Sequence, residues 1–359
     1  MRTPVARAAR RVASSLVAFA TRSIAFVFLI AGCDGMDEAP AAEGPAPPAQ
    51  PATGPGGAEY PHGGARVRTY GSGEEQYWLY EPAMPAPDAA PVLVYLHGYS
   101  SREPALYDAL LTHLARKGHI VIYPVYGGLL DPQNYQPNAR AAIAAALAEL
   151  DSPEHVHSDG HFGLLGHSLG TMIALRLAAK PQATPELPVP EILVLHEPAG
   201  KTAPFIEGNP DWDVSEQTLI EIAPTTRLLL IQAETSATDP NSVAPDAWHN
   251  TPQLARAQKN FLRVISDEHG RPALVSDHTG VQAGQNVTHF DPLDGIDWWG
   301  YWRPTDGALS EVFGRGELPA GYSAFCSSAG PRCDPVRHMG QWSDGVAVTP
   351  MQNAAELGL

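Results

Sequence analysis

The pattern of apolar and polar positions changes at about residue 65. Before that point, residues 34–64 are rich in Pro, Ala and Gly and show no apolar periodicity. After it, short apolar runs alternate with longer segments of helical composition. The runs predict strands at residues 91–96, 119–124, 162–165, 191–195, 227–231 and 261–265. Apolar strands that alternate with helices predict an α/β fold, with a mostly parallel sheet covered by helices on both faces.

The first part of the folded region predicts an antiparallel edge to this sheet. Arg66–Tyr70 and Gln76–Tyr80 flank Gly71-Ser72-Gly73, and glycines between two strand-like runs are typical of a hairpin. Later segments rich in Ala, Leu and other good helix formers alternate with the apolar runs. The predicted helices span residues 104–117, 138–150 and 171–180.

The strand at 162–165 leads into Gly166-His167-Ser168-Leu169-Gly170, a Gly-x-Ser-x-Gly motif. Between a strand and a helix, this motif places the serine on a sharp turn, with its hydroxyl above the edge of the sheet. The helix predicted at 171–180 supplies the required context. Ser168 is therefore the candidate nucleophile, and an ordinary glycine-rich turn is the alternative.

The N-terminal residues are typical of an export signal. Residues 1–32 combine a basic start with an apolar stretch from Ile24 to Ala31. The stretch ends in Ile30-Ala31-Gly32-Cys33, which resembles the lipobox of bacterial lipoproteins. The resemblance implies cleavage before Cys33 and lipidation of its thiol; ordinary signal cleavage nearby is the alternative. We expect residues 33–64 to form a semi-extended tether and residues 65–359 to form the folded domain.

Composition and charge narrow the classes of partner. The folded part of the 359-residue chain is long enough for one large core. The formal net charge of −16 argues against nucleic acid and against an anionic membrane surface as partners. Cys326 and Cys333 flank a turn-rich stretch, and in an exported protein such a pair predicts a disulfide.

Three features together resemble the α/β-hydrolase superfamily. His97-Gly98 follows a buried strand, the motif around Ser168 follows a later strand, and an acidic loop lies beyond Ile231. Within the superfamily, the chain is similar to secreted esterases related to dienelactone hydrolases, cutinases and polyester hydrolases. The resemblance covers about residues 66–290 and implies an α/β-hydrolase fold without a metal or organic cofactor. The aromatic segment Asp291–Arg303 has no counterpart in it.

The resemblance also implies the chain order serine, acid, histidine, with the acid just beyond a strand. Two carboxylates follow the strand at 227–231. Asp239 lies in a loop with turn chemistry and matches the family's acid position. Glu234 is nearer the strand end and is the alternative.

Three histidines are candidates for the general base. His278 follows a short apolar run in Leu274–Gly280 and resembles the family's base, which lies on a loop just past a strand. His289, in a Thr-His-Phe sequence, comes second, and His269, in a predicted turn, comes third. His338 is remote in the chain. For each of them, the alternative is a solvated loop histidine.

A tetrahedral intermediate requires two backbone N–H donors. The first helical residue after the nucleophile, Leu169, supplies one of them. The second is expected in the loop after His97-Gly98, at the backbone N–H of Tyr99. We expect His97 itself to be structural, because it precedes the nucleophile in the chain.

A second constellation would give different chemistry. His155, His157 and His161 resemble the histidine-rich motif of metallo-β-lactamase-type hydrolases and could hold zinc. However, Gly160 breaks the spacing, and a polar loop leading into the next strand is the simpler interpretation. Six aromatic residues could line an ester pocket, although such residues are more often core. They are Tyr99, Tyr126, Trp298, Trp299, Tyr301 and Trp302.

These observations together predict a serine hydrolase that cleaves small or polymeric carboxylic esters. Ser168 is expected to attack, His278 to transfer the proton and Asp239 to orient the imidazole. The protein is expected to be a monomer, exported to the bacterial cell envelope and held at a membrane by lipid on Cys33. A surface binding protein that has a hydrolase fold but no activity is the main alternative, and a zinc hydrolase is the other.

Overall fold

A computed structural model describes residues 44–127, 132–180, 184–201, 206, 208–239, 241–283 and 292–359. One eight-stranded sheet runs through these residues. Its strands are β1 (Gly64–Tyr70), β2 (Tyr77–Ala83), β3 (Ala89–Leu96), β4 (Ile120–Pro124), β5 (His157–His167), β6 (Ile192–His196), β7 (Arg227–Ala233) and β8 (Lys259–Val264). The strand order is β1-β2-β4-β3-β5-β6-β7-β8.

Strand direction in the sheet follows the sequence prediction. β1 pairs antiparallel with β2, and β2 pairs antiparallel with β4. The remaining neighbours, from β4 through β3 to β8, are parallel. This order and the predicted hairpin edge are those of the α/β-hydrolase fold, which confirms the predicted fold class.

Helices cover both faces of the sheet. The α-helices are α1 (Asp108–Arg116), α2 (Tyr135–Glu149), α3 (Leu169–Ala179), α4 (Glu216–Leu219), α5 (Ala244–His249), α6 (Arg303–Phe313) and α7 (Asp334–Arg337). Because side chains alternate along a strand, Val92 and Val94 of β3 face a core shared with α2 and α3. Leu93 and Tyr95 face a second core shared with α1 and α6.

Several shorter helices complete the connections. A π-helix spans Ile296–Trp302 and runs directly into α6. The 3-10 helices are Gly73–Glu75, Pro104–Leu106, Pro132–Asn134, Pro210–Trp212, Ser236–Thr238, Arg256–Gln258 and Pro331–Cys333. None of the helices in the described part of the chain is long and apolar enough to span a bilayer.

Residues 44–63, which the sequence predicts to be part of a tether, lie against the domain instead. We call them the N-terminal strap. The backbone N–H of Gly56 donates to the buried Asp306 carboxylate at 2.7 Å. The Arg116 guanidinium lies over the Tyr60 ring, 3.7 Å from its centroid. Backbone bonds also hold the strap, such as those from Arg271 N–H to the Pro45 carbonyl and from His62 N–H to the Arg116 carbonyl, and such bonds need no apolar periodicity. Cys33 and the predicted signal lie outside the described residues.

The C-terminal residues close over the second core. Phe325, Val336, Met339 and Trp342 are buried there. Cys326 and Cys333 form the predicted disulfide, which closes a loop with a sequence separation of seven residues.

Candidate active site

Ser168 lies on the turn between β5 and α3, as the motif predicts. Its backbone has φ 52° and ψ −121°, a conformation that non-glycine residues rarely adopt and that costs of order 1–3 kcal/mol. The Ser168 N–H donates to the His196 carbonyl at 3.1 Å, which ties the turn to the end of β6. The surrounding contacts hold the serine in this strained position at the carboxyl edge of the sheet.

The two glycines of the motif are required by close backbone contacts. A Cβ at Gly166 would lie 2.6 Å from the carbonyl oxygen of Gly170. A Cβ at Gly170 would lie 2.0 Å from the carbonyl oxygen of Leu96, at the end of β3. The start of α3 therefore packs against two strands with no room for side chains at either position.

His278 is the histidine that the structure brings to Ser168. The distance from its Nε2 to the Ser168 Oγ is 2.9 Å. Partial burial lowers the pKa of His278, whereas the nearby charges of Asp277 and Asp239 raise it. The ring is thus favoured in its neutral form near pH 7, with a lone pair available to accept the serine proton. Its side chain remains 47% exposed.

Two hydrogen bonds attach the loop that carries His278 to the sheet. The side chain of Ser276, which is fully buried, donates to the Val264 carbonyl at the end of β8, at 3.0 Å. The Thr235 hydroxyl donates to the Ser276 carbonyl at 3.1 Å. The backbone that carries the imidazole is therefore fixed to the ends of β7 and β8.

The carboxylate beside His278 belongs to Glu197, a residue that the sequence analysis did not consider. Glu197 Oε2 lies 4.0 Å from the Nδ1 of His278. Glu197 directly follows β6, and His196 is in register with His167 of β5, so Glu197 and Ser168 occupy equivalent positions on neighbouring strands. Glu197 also has a positive φ of 49°. Backbone strain thus occurs at two adjacent strand ends of this edge, and strain of this kind is frequent at functional sites.

Two donors fix the orientation of the Glu197 carboxyl group. The Tyr301 hydroxyl and the Ala233 N–H each donate to Oε1 at 2.5 Å. Oε2 is buried and faces His278, and within the described residues it makes no hydrogen bond of regular geometry, although the Ser236 hydroxyl interacts with the carboxyl group and lowers its pKa. Burial raises the pKa of Glu197 to about 7, against the opposing effect of the Tyr301 hydrogen bond. The group therefore titrates near neutrality.

Asp239 lies beyond β7, where the sequence predicts it, but it makes no ion pair with His278 in the described structure. It is exposed, and its Oδ1 accepts from the Asn241 N–H at 2.9 Å. Its charge nevertheless raises the pKa of His278. Glu234, the alternative acid, accepts from the Ser266 N–H at 3.1 Å and joins the ends of β7 and β8. The structure thus places the predicted acid near the base and gives the base a different carboxylate contact.

A buried hydrogen-bond network joins the three loops that meet at Ser168. The Tyr107 hydroxyl lies 2.8 Å from His167 Nδ1, 3.1 Å from the Gly98 N and 2.9 Å from the Gln282 Nε2. His167 Nε2 lies 2.9 Å from the carbonyl oxygen of His278. Sequence reasoning missed this network, although His167 lies inside the serine motif.

The proton positions in this network follow from its acceptors. Burial lowers the pKa of His167 to about 3, so its ring is neutral and carries one N–H. The His278 carbonyl can only accept, so that N–H is on Nε2 and Nδ1 is an acceptor. The Tyr107 hydroxyl must therefore donate to Nδ1, and its oxygen accepts from the Gly98 N–H and the Gln282 amide. Both ring nitrogens of His167 and the Tyr107 hydroxyl then have hydrogen-bond partners.

The predicted oxyanion donors belong to residues that adjoin Ser168 and Gly98 in the chain. Leu169 is the first residue of α3, where a backbone N–H has no acceptor within the helix. Tyr99 follows Gly98, and a Cβ on Gly98 would lie 3.4 Å from the Ser168 Cβ. His97 is buried and donates to the Gly98 carbonyl at 2.6 Å, a structural contact of the kind expected.

The other candidate histidines have separate surroundings. His269 Nε2 lies 2.8 Å from Oδ2 of Asp344, a residue beyond α7. His338 packs edge-on against Trp299, with ring centroids 5.2 Å apart. His289 lies outside the described residues. Of the histidines described, His278 is the one that contacts the Ser168 hydroxyl.

The three histidines of the alternative zinc motif do not form a common metal site. Each imidazole has its own partner: His155 with Glu81, His157 with the Leu150 carbonyl and His161 with Glu191. A different trio with metal-compatible spacing, Glu149, Glu154 and His155, occurs in the described residues. Its imidazole is already bonded to Glu81 through Nδ1 and to Tyr70 through Nε2. The geometry does not reproduce the predicted site.

The aromatic residues considered for a pocket are mostly structural. Tyr126 stacks on His97, with centroids 3.9 Å apart, and Trp302 packs on His113 at 4.4 Å. The Trp299 indole N–H donates to the Ala49 carbonyl of the strap at 3.0 Å. Trp298, partly buried, packs against the second core. Tyr99, which follows Gly98, remains 42% exposed.

Comparison with known protein families matches one part of the chain. Residues 82–202 match the family model described as Chlorophyllase. The match begins at the end of β2 and includes Ser168 and Glu197, but not Asp239, His278 or Tyr301. No curated protein matches the sequence.

Solved structures of esterases are among those similar to this chain. Carboxyl esterase 2 from Tuber melanosporum has 18% sequence identity and a TM-score of 0.39, covering 56% of this chain and 76% of that one. One of two fungal esterases from Rhizomucor miehei has 12% identity and a TM-score of 0.39, covering 56% and 72%. Esterase B from Lactobacillus rhamnosis has 14% identity and a TM-score of 0.42, covering 58% and 75%. Similarity at this level carries no statement about the substrate of this chain.

Proposed function

We propose that this chain is a serine hydrolase of carboxylic esters. The observation that carries the proposal is the 2.9 Å contact between the Ser168 hydroxyl and His278 Nε2, with Ser168 on a strained strand-to-helix turn. A serine hydroxyl becomes a nucleophile when a neighbouring base can take its proton. The chlorophyllase match over residues 82–202 supports the ester class.

The reaction proceeds through an acyl-serine. Ser168 Oγ attacks the ester carbonyl carbon while its proton passes to His278 Nε2. The tetrahedral intermediate collapses, and the alcohol oxygen leaves with that proton. Water then attacks the acyl-serine, gives a proton to the same nitrogen, and a second collapse releases the acid and restores the Ser168 hydroxyl.

Glu197 is the carboxylate that supports the base in this proposal. As His278 gains a proton at Nε2, the Nδ1–H becomes a stronger donor and the imidazolium needs an anion nearby. Glu197 Oε2 lies 4.0 Å from His278 Nδ1, and in this proposal the two atoms move to hydrogen-bond distance in the substrate complex. Catalytic hydrogen bonds often shorten only in that complex. Asp239, the acid implied by family resemblance, contributes through its field on His278.

The negative charge on the intermediate is stabilised by backbone donors. The Leu169 N–H at the start of α3 and the Tyr99 N–H are the proposed pair, as the sequence predicts. The partial positive charge at the helix N-terminus adds to the first of them. Hydrogen bonds to such an oxyanion are typically worth about 3–4 kcal/mol each in the transition state.

Exposed apolar residues close in the chain to the catalytic residues favour esters with apolar groups. They are Tyr99, which follows Gly98, and Val275, three residues before the base, and their side chains are 42% and 55% exposed. A carboxylic ester of moderate size with an apolar acyl or aromatic part fits this chemistry.

Hydrolysis of an ester panel tests the proposal. The wild-type protein should cleave p-nitrophenyl esters of short to medium acyl length, and Ser168→Ala and His278→Ala should each reduce kcat by several orders of magnitude. His269→Ala is the matched control, because it removes an imidazole paired with Asp344 away from the serine. Absence of ester turnover in folded wild-type protein would instead favour a binding protein.

We further propose that the protein is exported and held at the bacterial envelope by lipid on Cys33. The basic and apolar N-terminal segment and the lipobox-like sequence support this, and so does the Cys326–Cys333 disulfide, because disulfides persist in oxidising compartments. Mass spectrometry of the mature protein should find an acylated N-terminal Cys33. A mature N-terminus elsewhere would contradict the anchor.

A further inference from the structure

Residues 292–359, which we call the C-terminal segment, contact the candidate active site through Tyr301. Tyr301 belongs to the π-helix Ile296–Trp302, which lies outside both the family match over 82–202 and the sequence resemblance. Its side chain is fully buried, and its hydroxyl donates to Glu197 Oε1 at 2.5 Å. A π-helix changes the direction of side chains within a helix and frequently occurs at functional sites.

The Tyr301 ring lies between the strand that carries Glu197 and the loop that carries His278. On one side it packs edge-on against His196 of β6, with ring centroids 5.7 Å apart. On the other, a Cβ on Gly280, two residues after His278, would lie 3.1 Å from the ring. A side chain in this place fixes the spacing between the acid and the base.

The hydroxyl also fixes the plane of the Glu197 carboxyl group. With Tyr301 and the Ala233 N–H both on one oxygen, tilting the group out of this plane would break two hydrogen bonds. Oε2 therefore stays directed at His278 Nδ1. Burial raises the pKa of Tyr301 well above its ordinary value, so the phenol remains a donor throughout the working pH range.

We propose that Tyr301 is a positioning residue for the reaction, whose hydroxyl holds the Glu197 carboxylate toward His278. The C-terminal segment is then part of the catalytic unit as well as a cover for the core. This inference rests on the proposed function, with Glu197 as the acid.

The groups that face Glu197 set the expected pH effect. His278 faces Oε2, and Tyr301 faces Oε1; Asp277, on the base loop, raises the pKa of Glu197 by like-charge repulsion. His196, adjacent in sequence, has its pKa lowered by burial to about 3 and carries no charge near neutrality. Because the Tyr301 hydrogen bond lowers the pKa of Glu197, its removal raises that pKa further.

Tyr301→Phe keeps the ring and removes the donor. We expect kcat at pH 6.5 to fall about tenfold, the acid limb of the kcat profile to move to higher pH by roughly half to one unit, and KM to stay within about twofold. Activity should recover largely at pH 9. Tyr80→Phe is the matched control, because the buried Tyr80 hydroxyl donates to another carboxylate, Asp108, at 2.8 Å.

A profile for Tyr301→Phe that coincides with wild type and Tyr80→Phe overturns the inference and leaves the ester hydrolase intact. Failure of the proposed function appears separately, as wild-type protein without ester turnover. A double-mutant cycle with Glu197→Gln gives a second readout. When Glu197→Gln is already present, adding Tyr301→Phe should have almost no further effect on kcat, and an effect as large as in wild type contradicts a role through Glu197.

Discussion

At the scale of residues, Glu197 differs from most buried carboxylates. It is fully buried, has a positive φ of 49°, and presents to the ring of His278 an oxygen that makes no hydrogen bond of regular geometry in the described structure. An ionised carboxylate that is buried without a partner destabilises the folded state. In the transition state, the positively charged imidazolium of His278 would be its partner.

Ser168 and His278 could be predicted from the sequence, whereas Glu197 could not. A serine motif between a strand and a helix is local, and a histidine after a short apolar run has a similarly local signal. The role of Glu197 depends on burial and on the register of β5 and β6, which do not appear in its neighbours Leu195-His196-Glu197-Pro198. An acidic residue directly after the strand next to the nucleophile strand was the available signal.

Glu197→Gln and Asp239→Asn separate the two carboxylates. We expect Glu197→Gln to reduce kcat at pH 8 by about two to four orders of magnitude with little change in KM, because a neutral amide cannot stabilise the imidazolium. Asp239→Asn should reduce kcat less than about fivefold, because its contribution is a longer-range field. Steady-state kinetics on one ester decide between them, and an inactive Asp239→Asn beside an active Glu197→Gln would restore the family assignment.

Glu197 also gives stability a pH dependence. Its pKa is about 7 in the folded protein and 4.5 as the ordinary value, so between those pH values the folded state binds the proton more strongly. Stability therefore decreases as pH rises through this window, by roughly 3 kcal/mol at most. Glu197→Gln should match wild type near pH 4.5 and exceed its free energy of unfolding at pH 8, as measured by urea denaturation. An equal difference at both pH values would contradict this.

At the scale of elements, the strands follow the sequence closely and the loops do not. Apolar runs predicted β3, β4, β6, β7 and β8 within a few residues, because burial on both faces leaves a direct composition signal. β5 begins at His157, in the polar stretch interpreted as a loop, because its first residues are mostly exposed and carry no apolar signal. The predicted helix at 104–117 is divided into a 3-10 turn, Pro104–Leu106, and α1. The π-helix Ile296–Trp302 was not predicted, since its i→i+5 hydrogen bonding does not follow the 3.6-residue period of an α-helix. Its Tyr301 and Trp299 side chains contact Glu197 and the strap.

The network of Tyr107, His167 and Gln282 is the element-scale feature with the clearest consequence. Its hydrogen bonds connect the Gly98 loop, the turn at Ser168 and the loop of His278. Removing the shared hydroxyl leaves buried donors unpaired at a cost of about 1–3 kcal/mol each.

Tyr107→Phe should reduce kcat by roughly ten- to a hundredfold, with a smaller effect on KM, because the oxyanion loop and the base loop lose their common support. Tyr95→Phe is the matched control. Its ring lies 5.1 Å from that of Tyr107, and its buried hydroxyl has no hydrogen-bond partner in the described residues. Equal losses of kcat in Tyr107→Phe and Tyr95→Phe would show that the loss comes from altered packing of the rings and not from the hydrogen-bond network.

At the scale of the whole molecule, the mostly parallel sheet, its hairpin edge and the helices on both faces could be predicted from the alternation of strands and helices, whereas the order of the strands came from the structure. The packing of the termini could not be predicted. The N-terminal strap and the C-terminal residues lack periodicity, and each is ordered by contacts distant in the chain, such as Gly56 with Asp306 and Trp299 with Ala49.

The strap should therefore contribute to stability. A variant that begins at Gly44 retains the whole strap and is the reference. One that begins at Gly64 leaves the buried Asp306 with one donor fewer and should melt at least about 5 °C lower. Differential scanning calorimetry of the two variants measures this, and equal melting temperatures would mean that the strap rests on the domain without stabilising it.

Covalent labelling of Ser168 tests the central claim most directly. A fluorophosphonate reacts with a serine only when the hydroxyl is activated, and the adduct is located by mass spectrometry of the digested protein. We predict one adduct per chain, on Ser168, formed much more slowly in His278→Ala and absent in Ser168→Ala. A folded wild-type protein that remains unlabelled, or that is labelled equally fast without the imidazole, would contradict the account of Ser168 as a nucleophile activated by His278.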